Sequence, residues 1–97
     1  MIEINERGKI FGEEIHKSIE SKLADYSIWV KRKIEYADLI EGIDFTTILL
    51  QSTGGRPKKE YEFTIDAAKE ICLLEKNKKG KEIRRWLIGL SKQQIKT

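Results

Sequence analysis

The stretch IDFTTILLQSTGGRPKKEYEFTI, residues 43–65, decides how this chain folds. In its second arm Tyr61, Phe63 and Ile65 fall on one side, with Glu60, Glu62 and Thr64 on the other. A period of two is the pattern of a half-buried strand. Gly54 and Gly55 supply the positive backbone angles that a reversal needs. Pro57 lacks a backbone donor, which a hairpin tolerates only at its end or on an edge. The stretch therefore predicts a β-hairpin with a stiff tip crowned by Arg56, Lys58 and Lys59.

Upstream, a weak alternation breaks at Glu6-Arg7-Gly8, which predicts a short N-terminal strand from Ile2 to Ile4 and then a turn. Phe11, Ile15 and Ile19 recur one helical turn apart, so a short helix is expected over Gly12 to Ser21. A second helix begins at Asp25 and runs to Gly42, a natural left-handed stop. Its stripe is Tyr26, Val30, Ile34 and Ala37, with Trp29, Lys33, Tyr36 and Ile40 beside it.

Downstream of the hairpin, Thr64 is placed to cap a third helix and Asp66 to meet its positive end. Ala67, Ile71 and Leu74 form its inward row, with Ala68 and Cys72 alongside. A basic break, KNKKGK, precedes a last helix from Lys81, whose stripe is Ile83, Leu87 and Leu90 with Trp86 at the border. The expected architecture is α+β: about four helices packed with a small antiparallel sheet, in one domain spanning residues 1–97.

Hydrophobic residues at 39% and charged residues at 36% suit a soluble, folded protein. The lone Cys72 excludes an intrachain disulfide and fits a reducing, cytoplasmic setting. No apolar run has the length of a membrane span. Residues 1–48 hold 7 Lys/Arg against 10 Asp/Glu, whereas residues 49–97 hold 12 against 6. That asymmetry fits two faces with different partners, and equally two solvated halves.

Motifs that carry chemistry are scarce. His16 lies near Glu13, Glu14 and Glu20, but no metal-ligand spacing accompanies it. GGRPKK has glycines and bases, yet it joins strand to strand and so lacks the helix N-terminus of a phosphate loop. No enzyme, metal or cofactor is expected. The cations remain: Arg56, Lys58 and Lys59 on the hairpin, Lys31 and Arg32 on the second helix, Arg84 and Arg85 on the last. They suit a protein partner, phosphates of nucleic acid, or plain solvation. Trp86 with Ile88 marks an apolar patch on which two chains could pair, or a single exposed apolar residue of the ordinary kind.

Together these residues resemble a family, the AntA/AntB antirepressor domain of phages and prophages. Its pattern, FSxWIKRRIExYGFxEGxDF then GGRPxxxYxxTxDxAKELxxxExxxxGxxxRRYF, stands here as YSIWVKRKIEYADLIEGIDF, residues 26–45, and GGRPKKEYEFTIDAAKEICLLEKNKKGKEIRRWLIG, residues 54–89. The resemblance covers roughly residues 12–90. The family's leading ARDLHxFL appears as GEEIHKSIE, which keeps His16 but loses the arginine and the leucines. It implies a regulator in the bacterial cytoplasm that binds a protein partner, most simply a transcriptional repressor, and relieves repression. Direct DNA binding and occlusion of a host defence protein are the alternatives. The partner-contact candidates are Arg56, Lys58, Lys59, Lys31, Arg32, Arg84 and Arg85, whereas matched positions such as Phe45, Tyr61 and Asp66 have structural reasons to exist.

Overall fold

A computed structural model describes residues 2–50, 58–75 and 77–95, with side chains as far as Leu90. The hairpin arms pair as expected: β2 (Phe45–Leu50) and β3 (Lys58–Phe63) run antiparallel, from Phe45↔Phe63 to Leu50↔Lys58. The joining residues, among them Gly54, Gly55, Arg56 and Pro57, lie outside the described residues. A third strand, β1 (Ile10–Phe11), pairs Ile10 with Phe63 and Phe11 with Glu62, which makes β3 the central strand.

The N-terminal strand is therefore displaced from Ile2–Ile4 to Ile10–Phe11. Gly8 takes a left-handed φ of +73°, and Asn5 N–H donates to the Lys9 carbonyl at 2.8 Å. This turn hands the pairing to Ile10 and Phe11. Ile2 still reaches the core, without being part of the sheet.

Helix α1 (Gly12–Ile19) buries Ile15 and Ile19 and ends one turn-closing residue later, with Glu20 left-handed at φ +51°. Glycine at position 12 has a packing cause. A Cβ there would collide with the Tyr26 hydroxyl and stand 3.0 Å from the Phe63 ring.

Helix α2 (Tyr26–Tyr36) is capped as predicted, with the Asp25 carboxylate accepting from Ile28 N–H at 3.2 Å. Its end is not at Gly42. The helix closes at Tyr36 by a Schellman motif in which Asp38 takes φ +54° and Leu39 N–H returns to the Ile34 carbonyl at 3.0 Å. Gly42, at φ +89°, instead turns the loop, and its N–H donates to the Phe45 carbonyl at 2.7 Å. Tyr36 and Ile40 are consequently exposed rather than beside a buried stripe, while Trp29 and Val30 are core.

Helix α3 (Ile65–Leu74) starts where Thr64 Oγ1 accepts from Ala67 N–H at 3.1 Å, and it buries Ala67, Ala68, Ile71 and Cys72. Helix α4 (Lys78–Ile95) begins earlier than the basic break suggested, because Asn77 Oδ1 accepts from Gly80 N–H at 2.7 Å and caps it. Ile83 and Leu87 are buried, and Trp86 and Leu90 pack against the core from its border. Ile10, Ile15, Ile19, Trp29, Phe63, Ile71 and Leu87 are each no more than 1% exposed. Each such side chain stabilises the fold by about 2 kcal/mol.

Candidate functional site

The central strand does not keep its acidic face in water. Glu60 and Glu62 are each only 2% exposed, and the groups that meet them come from Tyr26 at the start of α2 and from Asn5 and Arg7 in the N-terminal turn. A buried carboxylate must be paired. Glu62 accepts from the Asn5 amide and from the Arg7 guanidinium, whose Nε lies at 2.8 Å. The Arg7 hydrogen bond holds Glu62 below the ordinary carboxylate range despite its burial. Glu60 accepts from the Tyr26 hydroxyl and from Tyr61 N–H. Burial, and then the Glu60 carboxylate, push the Tyr26 hydroxyl far above the ordinary tyrosine range.

Two of the hairpin cations join this framework. Lys58 forms an ion pair with Glu13, which raises the lysine above its ordinary value. The Lys59 ammonium sits 5.3 Å from the centroid of the Tyr61 ring.

A second polar knot ties the helices together at Glu75, the residue that closes α3. Its Oε1 accepts from Trp29 Nε1 at 2.8 Å, Lys33 Nζ at 2.8 Å and Ser21 Oγ at 3.3 Å. Burial pulls this carboxyl upward, but the Lys33 and Trp29 bonds outweigh it and leave it below the ordinary value. His16 packs 4.9 Å from Trp29 between ring centroids, and its Nε2–H donates to the Leu23 carbonyl at 2.8 Å. It thus fastens the α1–α2 connection. Burial pushes the Cys72 thiol up to about 12, which suits a core residue and not a nucleophile.

The remaining expected contacts are placed differently. Lys31 and Arg32 are exposed on α2, Arg85 is exposed on α4, and Arg84 is half-buried there. None of the four has an ion pair or hydrogen-bond partner among the described residues. Arg56 lies outside the described residues.

Between α3 and the start of α4 lies a groove of about 530 Å³. Lys78, Lys81 and Arg84 line it from α4 and Cys72 and Leu73 from α3, with Glu75 and Asn77 of the connection also at its wall. Gly80 sets its shape. A Cβ at that position would stand 2.7 Å from the Glu75 carbonyl oxygen, so only glycine lets the first turn of α4 sit so close to the end of α3. Lys78 and Lys81 were legible as bases but not as groove residues. The signal that could have found them is the asparagine cap, which places lysines three residues apart on one helical face.

These features define a small α+β domain whose interior acids are tied up in the fold while cations on two helices have no ion pair among the described residues. A family model for the AntA/AntB antirepressor matches residues 10–77, and the chain belongs to that family. It is accordingly an antirepressor-type phage regulator. Trp29, Lys31, Arg32 and the hairpin fall inside the matched residues, whereas Gly80, Arg84 and Arg85 lie beyond them. Comparison with curated proteins and with solved structures finds no match. Among the described residues, no helix is long and apolar enough to cross a membrane.

Proposed function

We propose that this chain relieves repression by binding a protein partner, a transcriptional repressor, in the bacterial cytoplasm, and that it does so as a binder and not as an enzyme. The family match over residues 10–77 carries this reading. It is supported by the exposed Lys31, Arg32 and Arg85, which have no structural partner among the described residues and are available to a complementary acidic surface. Such charges speed encounter and fix orientation.

A derepression assay tests it. Expression of the full chain in a lysogen should switch on a reporter under the resident repressor, and the purified repressor should co-elute with it. Lys31→Glu with Arg32→Glu should weaken co-elution about tenfold with an unchanged circular-dichroism spectrum. A gel shift on operator DNA without any repressor, lost steeply with salt, would replace this reading with direct DNA binding.

A further inference from the structure

We infer that the groove between α3 and α4 is a docking site for an acidic peptide segment of a partner protein, with an apolar side chain set among its carboxylates. This deepens the reading of the chain as a partner-binding regulator and rests on it. Three cations line one wall of the groove, and none of their side chains has an ion-pair or hydrogen-bond partner among the described residues. Lys78, Lys81 and Arg84 recur every third residue of α4, so they share an arc of about 120° and converge on one side. Glu75, the one carboxylate among the described residues that line the groove, bonds instead to Trp29, Lys33 and Ser21.

The opposite wall is apolar. Leu73 is 52% exposed, whereas Ile65 and Ile71 on the same helix are buried. A ligand that covers Leu73 while presenting anions to α4 matches both walls at once. A groove of 530 Å³ has the volume of an ordinary ligand site, enough for a few side chains. Arg84 offers a planar fork suited to a carboxylate, whereas the two lysines act as point charges. Nucleic acid fits less well, because phosphates would gain nothing from covering Leu73.

The test is a titration of isotope-labelled full chain with a blocked peptide of Glu and Asp around one central Leu, read by amide chemical shifts. Saturable shifts should centre on Leu73, Lys78, Lys81 and Arg84. Lys78→Glu with Lys81→Glu should weaken binding about tenfold or more. Acids in the first turn of a helix favour its dipole, so this variant keeps α4 folded. Replacing the peptide's Leu by Ser should also weaken it severalfold, and Lys31→Glu with Arg32→Glu on α2 should not. Flat titration curves, shifts centred elsewhere, or equal binding by the Lys78/Lys81 variant would overturn the site. So would inorganic phosphate or duplex DNA saturating the same amides at equal or lower concentration. A failed titration leaves repressor capture through α2 or the hairpin standing. Failed derepression with a positive titration instead removes the repressor as partner and leaves the groove.

Discussion

β3 and the first half of α4 look alike as strings, each crowded with Lys and Glu, yet the fold treats them oppositely. In β3 every charge has a partner within the chain: Lys58 pairs with Glu13, Lys59 sits over Tyr61, Glu60 holds Tyr26, and Glu62 holds Arg7 and Asn5. In α4, the side chains of Lys78, Lys81, Arg84 and Arg85 have no ion-pair or hydrogen-bond partner among the described residues. The buried half of β3 leaves Glu60 and Glu62 no water, so these carboxylates must be paired. A helix at the margin covers one stripe and leaves the rest to water or to a partner. Charge density therefore says little about recognition until its burial is known.

The contrast can be broken at the residue where the two kinds of region meet. Glu75→Ala strands Trp29 Nε1 and Lys33 in a partly buried site and should cost about 3 kcal/mol in urea unfolding. An unchanged midpoint would show that the Glu75 knot is not structural. Next comes Gly80→Ala, expected to cost about 2 kcal/mol, because the new Cβ meets a backbone oxygen that cannot swing away. The same variant should also reduce acidic-peptide binding by reshaping the groove.

A smaller effect sharpens the β3 side through pH. Glu62 and Glu75 have folded-state values below the ordinary 4.5, so the stability they contribute is fully present above that value. It is lost as pH falls below 4.5 through their depressed values. Urea midpoints should hold from neutral pH to that point and then decline, and Glu62→Gln should flatten the decline. The smallest change belongs to α4: Arg85→Ala should alter stability by no more than about 0.5 kcal/mol. A larger loss there would mean that the α4 cations are structural after all.

Much of the fold was legible because it is local. Asp25 and Thr64 act as caps within three residues of themselves, and the stripes of α3 and α4 follow from helical periodicity. The hairpin arms and the family likeness were equally readable. Two helix ends were not. Gly42 is the obvious stop, but Asp38 closes α2 earlier, and Asn77 opens α4 ahead of Lys81. A cap is decided by which of several competent residues meets its partner, and composition does not rank them.

The candidate site was legible only as a set of bases. Their sorting depends on neighbours distant in the chain: Lys58 is drawn to Glu13, and Arg7 reaches Glu62 across 55 positions. From its residues alone the chain specifies helices, hairpin and family, because turn chemistry, periodicity and motif spacing act over a few positions. Only packing made β3 central, buried its two acids and brought α4 against the end of α3 to form a groove. Burial is a property of what covers a residue, and in this domain the covering segments come from the far end of the chain.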